Sequence, residues 1–333
     1  MVDAIEGDEF AFSPTPSVPR RTSKLGIVGA GAVGSTMAYA ALMRGAARTV
    51  ALLDVNKAKV EAEVLDLSHG IQFMSMAEVM GSDDVSVMAD CDVVMFTAGA
   101  KQRPGQSRLD LAEATISLVK KVLPGIVEVA PNAVYVMVTN PVDVVTYAAL
   151  KISGLPPSQL FGSGTVLDSS RLRYLIARHT GVAVQNVHAY VAGEHGDTEL
   201  PLWSSATIGS VPILEWSSGE GGPLTREVRD AIAREVVESA YRIIEGKGAT
   251  NYAIALAGSR IIEAVLKDER RILPVSSLLD GYLGMSDVCL SVPSIVGSSG
   301  VHERLEVPMS SDELMGMRRS AEAVRSVARR FGF

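Results

Sequence analysis

Positive charge is scarce in this chain. Its 31 Lys and Arg are outnumbered by 38 Asp and Glu, for a formal net charge of −7. It therefore lacks the broad basic face that nucleic acid or an anionic membrane would require, although a local cluster can still hold a small anion. Cysteine is almost absent as well. Cys91 and Cys289 sit inside the apolar runs DCDVVMF and DVCLSV, so both read as reduced core thiols. No Cys/His spacing resembles a zinc site, and no metal is expected. No run approaches the roughly 20 apolar residues of a membrane-spanning helix. The acidic stretch MVDAIEGDEF lacks the basic-then-apolar layout of a secretory leader. Together these absences point to the cytoplasm.

Apolar residues are plentiful, at 47% of 333. That is enough for a substantial core, in a chain longer than most single domains. Residues 1–22, with Pro14, Pro16 and Pro19, read as an N-terminal arm that is either disordered or laid across a neighbouring subunit. From Leu25 onward, short apolar runs alternate with helix-like stretches. The runs LGIV (25–28), TVALL (49–53), DVVMF (92–96) and VYVMV (134–138) read as buried strands. Helices are expected at about 33–44, 57–68 and 106–129. This alternation implies an α/β fold built on a parallel doubly wound sheet.

A second region begins near Gly162. A helix over about 165–180 is followed by a strand, NVHAYVAG, and the segment GEHGD. A long helix then carries Val228, Ile232, Val236, Ala240 and Ile244 at a spacing of four. Two β segments follow near 271–278 and 288–296. The last helix presents Leu314, Met317, Ala321, Val324 and Ala328 on one face. Arg318, Arg319, Arg325 and Arg329 lie on the other, which reads as a solvated basic face.

Gly29-Ala30-Gly31-Ala32-Val33-Gly34 follows a strand and opens a helix. In that context Gly29 permits a tight turn, and Gly31 lets the backbone approach a pyrophosphate. Gly34 allows the helix to pack closely on the sheet. The helix N-terminus adds N–H groups and partial positive charge. Asp54 stands 20 residues after Gly34, where a carboxylate can accept from the adenosine ribose and repel a 2′-phosphate. NAD is therefore expected rather than NADP. The plain alternative is an ordinary strand-to-helix turn.

His195 lies in Gly193-Glu194-His195-Gly196-Asp197, where the flanking glycines leave it little local cover. An isolated histidine is more often structural. Asp168 and Arg171 change the balance, because three residues apart on a helix they share a face. Asp168 can fix the imidazole tautomer and favour its protonated form. Arg171 can grip a carboxylate through two parallel hydrogen bonds. The competing reading of the two is a surface i, i+3 ion pair of little worth. The loop from Gly99 to Arg108 can close as a lid, with Arg108 polarising a carbonyl oxygen and Asn140 offering it a second donor.

In these residues the chain resembles the lactate/malate dehydrogenase family, and within it the bacterial L-lactate-specific branch. The likeness runs from about Lys24 to the C-terminus. It rests on GAGAVG, DLSHG, TAGAKQRPGQSRLDL, TNPVD, GSGTVLDSSRLR, GEHGDTELP and KGAT. It implies an NAD-binding Rossmann domain over 23–162, a mixed α/β substrate domain over 163–333, and a homotetramer. By motif, His195 is similar to the family's acid/base, with Asp168 its partner, Arg171 the carboxylate clamp and Arg108 the lid residue. Gln102, Asn140 and Thr250 resemble substrate-pocket residues. Gly29, Gly31, Val33, Gly34, Asp54, Lys59, Gly99, Ala100, Val138, Asn140 and Ser163 resemble NAD contacts. The Asn140–Pro141 bond is usually cis in this family.

The implied activity is reversible NADH-dependent reduction of pyruvate to L-lactate. Gln102 stands where malate dehydrogenases place Arg. A neutral side chain there leaves a second substrate carboxylate unpaired, at a cost on the order of several kcal/mol. Arg173 and His188 resemble a pair that holds fructose 1,6-bisphosphate across a subunit interface, implying an allosteric activator. A malate or other 2-hydroxy acid dehydrogenase stays open as a rival. So, more remotely, does a non-catalytic dinucleotide-binding sensor.

Overall fold

The structure, a computed structural model, describes residues 23–99 and 108–333. The N-terminal arm, Ala100, Gln102 and the side chain of Arg108 lie outside the described residues.

In chain order the elements are β1 (Lys24–Val28), α1 (Ala32–Met43), β2 (Thr49–Leu53), α2 (Lys57–His69), β3 (Glu78–Ser82), β4 (Val93–Phe96), α3 (Arg108–Val129), β5 (Val134–Met137), α4 (Val142–Ser153), β6 (Leu160–Gly162) and α5 (Val166–Thr180). Then come the short strands β7 (Val187–His188), β8 (Val191–Ala192), β9 (Leu200–Pro201), β10 (Thr207–Ile208) and β11 (Val211–Pro212). Two helices follow, α6 (Arg226–Lys247) and α7 (Tyr252–Leu266). The hairpin strands β12 (Arg271–Leu279), β13 (Val288–Gly297) and β14 (Gly300–Arg304) lead into α8 (Ser311–Arg330).

One sheet dominates, in the order β14-β13-β12-β6-β5-β4-β1-β2-β3. From β3 to β6 every pairing is parallel. The order 3-2-1-4-5-6 is that of a Rossmann sheet, with its switch point beside β1. β12, β13 and β14 extend it antiparallel. The strands expected from the apolar runs are all present. Their residues are almost fully buried, because helices cover both faces.

Several elements carried no expectation, among them the short strands β9, β10, β11 and β14. β3 is a half-buried edge strand containing Gly81, and β6 has only three residues. α4 is buried at nine consecutive positions from Val142 to Leu150, and α7 has long runs of buried residues. Helices covered on most sides show little amphipathic stripe to read.

NVHAYVAG is not one strand. It divides into β7 and β8, which belong to different sheets. The physical reason is local. Ser169 Oγ accepts from the Val191 amide at 2.9 Å, and Thr165 Oγ1 donates to the Val191 carbonyl at 2.6 Å. These bonds fix the start of β8, while between the two strands the Ala189 carbonyl accepts from Arg173 Nε and the Tyr190 carbonyl from the Leu202 amide, each at 2.8 Å, so the ladder from β7 does not run on.

The stripe on α6 also divides. Ile232 and Val236 are buried in a core with Leu172 and Ile176, whereas Ile244 is 51% exposed. On α8 the apolar face is buried as expected, and a Ser310/Glu313 capping box starts the helix. Its basic face is partly engaged. Arg325 donates to the Ser286 carbonyl and Arg329 pairs with Glu322. Cys91 and Cys289 are free and buried, and burial pushes the Cys91 thiol up to about 12.

Candidate active site

The carboxyl ends of β1, β2, β4, β5 and β6 bring the glycine loop, Asp54, Gly99, Val138, Asn140 and Ser163 to one edge of the sheet. Gly29 has φ +98, and a Cβ there would meet the Ala98 backbone at 2.9 Å. A Cβ on Gly34 would overlap the Gly29 carbonyl oxygen. Each glycine therefore does what its position in the motif suggested. Gly31 is different, since an added Cβ would meet nothing within 4 Å. No side chain caps the α1 N-terminus at Gly31, and no acidic residue stands in its first turn. That leaves donors and open space for a pyrophosphate.

Asp54 Oδ2 accepts from the Ala30 amide at 2.8 Å, and its Oδ1 accepts from the Asn56 amide at 2.9 Å. It thus ties the loop to the end of β2, and each oxygen retains a lone pair for a ribose hydroxyl. These residues fit a bound dinucleotide. Val33 is half-buried, Ser163 is buried, and Lys59 is exposed in the first turn of α2.

Beside this edge lies a cavity of about 280 Å³ lined by Asn140, Asp168, Arg171, His195 and Glu199, with Val237, Ala240, Tyr241 and Ile244 from α6 as part of its wall. The partly exposed end of the α6 stripe is therefore a pocket wall. Asp168 is only 1% exposed and sits between two cations. Its Oδ2 meets His195 Nδ1 at 2.6 Å, and its Oδ1 accepts from Arg171 Nη1 at 2.6 Å. The Asp168–Arg171 pair is thus a buried half of a three-residue cluster, not a surface ion pair.

Engagement of Nδ1 leaves Nε2 as the imidazole nitrogen able to address a ligand. A guanidinium has five donors, so one bond to Asp168 leaves enough for a carboxylate. Burial disfavours the imidazolium, but the Asp168 carboxylate outweighs that and lifts the His195 pKa to about 9. Burial would likewise raise Asp168, yet His195 and Arg171 hold its carboxyl below the usual range.

Two carboxylates that the sequence did not single out support this cluster. Asp143 accepts from the His195 amide at 2.7 Å and from the Ser276 hydroxyl at 2.6 Å. Its burial pushes its pKa up to about 6, against the pull of those hydrogen bonds. Glu199 lies four residues past His195, within the quoted GEHGDTELP motif. An acidic residue so close to a candidate acid/base was the available signal.

Thr250 is not among the cavity-lining residues. It sits between α6 and α7, with a buried hydroxyl that has no hydrogen-bond partner among the described residues. The Asn140–Pro141 bond is cis. Arg173 points elsewhere, donating to the Ala189 carbonyl at 2.8 Å and stacking 4.9 Å over Tyr190. His188, next to Ala189, is exposed.

A dinucleotide-type sheet edge meeting an imidazole–carboxylate–guanidinium cluster is the arrangement of a nicotinamide-dependent dehydrogenase. Residues 23–162 match the lactate/malate dehydrogenase NAD binding domain. Residues 165–330 match the lactate/malate dehydrogenase alpha/beta C-terminal domain. The chain belongs to the lactate/malate dehydrogenase family.

The chain is similar to the L-lactate dehydrogenase of Bifidobacterium animalis subsp. lactis, with 58% identity over 95% of this chain and 99% of the relative. It is 46% identical to that of Thermoanaerobacter sp., over 92% and 98%. Among solved structures, a lactate dehydrogenase from a Medee basin deep-sea metagenome library superposes with a TM-score of 0.90 at 36% identity, covering 94% of this chain and all of that one. The minor L-lactate dehydrogenase of Enterococcus mundtii gives 0.87 at 35%, covering 93% and 98%.

Proposed function

We propose that this protein is an NAD-dependent enzyme that reversibly reduces pyruvate to L-lactate. The observation that carries this reading is Asp168 bonded at 2.6 Å to both His195 and Arg171 at the wall of one cavity. Bound NADH supplies the hydride. The protein's residues do the rest. Arg171 binds the substrate carboxylate and so fixes the direction in which the carbonyl faces. His195 holds a proton at Nε2 for the carbonyl oxygen, and Asp168 keeps the ring in that tautomer and charge state. Asn140 and Arg108 polarise the same oxygen, and the 99–108 lid excludes water. Gly29, Gly31, Gly34 and Asp54 hold the cofactor, with Val33, Lys59, Gly99, Ala100, Val138 and Ser163 beside it. By resemblance, Gln102 and Thr250 are proposed as further substrate contacts, the Thr250 hydroxyl being buried and without a hydrogen-bond partner among the described residues. NADH absorbance followed with a panel of 2-oxo acids tests the reading, and an inert mixture with pyruvate would overturn it.

The choice of lactate over malate rests on Gln102. In Gln102→Arg, the kcat/KM ratio of oxaloacetate to pyruvate is expected to rise by at least about tenfold, since the variant supplies a partner for the second carboxylate. A wild-type enzyme already preferring oxaloacetate would sink the lactate assignment.

Arg173 and His188 are proposed as the fructose 1,6-bisphosphate site; the Arg173 guanidinium donates to the carbonyl of Ala189, the residue after His188, which keeps the two side chains on neighbouring segments. A bisphosphate bridging two copies would favour one quaternary state. Pyruvate saturation curves should shift to lower concentration when it is added, whereas coincident curves at neutral pH and subsaturating pyruvate rule the activation out. The proposed homotetramer is supported by exposed Tyr39 and Met43 on α1 and Tyr252 and Leu256 on α7, because exposed apolar residues of this size favour association. The proposed location is the cytoplasm; among the described residues no helix is long and apolar enough to cross a membrane.

A further inference from the structure

Glu199 lines the cavity yet has no role in the reaction as described. Its Oε1 is shielded from solvent and makes no hydrogen bond among the described residues. Its carboxyl, the facing oxygen of Asp168 and the His195 ring nitrogen lie within 4.8 Å of one another. The charged and titratable groups around it are Asp168 and Arg171 from α5, Asp143 from α4, and His195 from its own loop. Glu194 and Asp197 of that loop and Tyr241 of α6, whose hydroxyl donates to Asp197, also line the cavity. Ionisation would leave a buried carboxylate oxygen without a donor beside two other carboxylates, which favours the acid form.

We propose that Glu199 is a specificity-determining residue that admits the substrate anion only as a neutral acid, so that pyruvate enters the site with a second proton besides that of His195. This rests on the pyruvate-reducing reading above. The electrostatics work in one direction. With Glu199 neutral, Arg171 and His195 face the carboxylates of Asp168 and Asp143 without a further negative charge between them and the incoming monoanion. Ionisation of Glu199 adds a negative charge to the same cavity and opposes the incoming carboxylate. By linkage, a ligand that prefers the protonated form must take up a proton wherever the ligand-free group has lost it. Burial, chiefly, and then Asp168 lift the Glu199 carboxyl to about 8, against the pull of His195 and Arg171. The two protons are therefore lost in neighbouring pH ranges, as steps belonging to the pair.

The test uses the full-length enzyme and compares wild type with Glu199→Gln, which is neutral at every pH. Above about pH 9 the KM for pyruvate in wild type should climb towards about a hundredfold per pH unit, and in the variant only about tenfold, the slopes for two protons and one. Equal slopes in the two proteins would overturn the inference. NADH fluorescence checks that the variant still binds cofactor. A second measurement needs no variant. Oxamate, an uncharged-amide analogue of pyruvate that keeps the carboxylate, is added to the wild-type NADH complex near pH 9 in weak buffer with an indicator dye. Uptake of more than one proton per site supports a second acid, and uptake of one or fewer overturns it. Failure of pyruvate to oxidise NADH at any pH would instead defeat the underlying reading of function.

Discussion

Replacing His195 with Asn is expected to slow pyruvate reduction by roughly 10²–10⁴, the usual worth of a positioned general acid. Asn can still donate from an amide but has no proton to release to an alkoxide. NADH binding should survive, because His195 lies outside the glycine loop and Asp54. The measurement is single-turnover NADH oxidation at saturating pyruvate, and a rate within tenfold of wild type would remove His195 from the proton step. Asp168→Asn provides the matching pH signature. Reduction by the proposed route needs the imidazolium, which Asp168 stabilises up to about pH 9. In wild type, reduction should fade as pH rises through the range in which Glu199 and His195 lose their protons. Without the Asp168 charge, His195 gives up its proton at lower pH, so the high-pH limb must move downward. A limb that stays in place would mean that the 2.6 Å contact does not control the histidine.

Arg171→Leu is expected to cost about 3–5 kcal/mol in kcat/KM for pyruvate, or roughly 10²–10⁴. Two losses combine. The substrate carboxylate enters a cavity with no paired donor, and Asp168 loses one of the two cations that hold its charge in a buried position. Arg171→Lys separates charge from geometry. An ammonium restores a positive charge but not the parallel pair of N–H bonds, so it should fall between wild type and the leucine variant. Equal kcat/KM for Lys and Arg would show that the clamp acts as a point charge.

The parts of this fold that were legible in the sequence are those whose surroundings are uniform along the chain. The strands flanked by helices on both faces read as unbroken apolar runs, and the helices with one wet face read as stripes. α4 was opaque because its burial extends nearly all round, and β6 because three residues are too few to show a period. The β7–β8 break falls at Ala189 and Tyr190, whose carbonyls are taken by Arg173 of α5 and by the Leu202 amide, and no local pattern encodes such contacts. The site shows a similar division. His195, Asp168 and Arg171 belong to recognisable motifs, so their meeting was expected, as was the place of Asp54 beside the glycine loop. Asp143 matters through burial and proximity, which appear only once the chain is folded, whereas Glu199 had its nearness to His195 in the sequence as a signal.

The pairing of Asp168 with His195 is set by a strand that does not line the cavity. Ser291, in the middle of β13, exchanges backbone hydrogen bonds with Gly193 in both directions at 2.9 Å, while its Oγ accepts from the Thr165 amide at 3.1 Å. Gly193 leads into His195, and Thr165 immediately precedes α5 and Asp168. Asp143 adds a second strut, joining the His195 amide to Ser276 on β12. The antiparallel hairpin thus works as a jig that indexes two catalytic segments against one ruler. A disturbance there would shift the acid and its partner relative to each other without altering either side chain. The proposed proton donor and its partner are thus aligned from the sheet, whereas α6 supplies a separate wall of the cavity, so that wall can be retailored while their alignment is left intact.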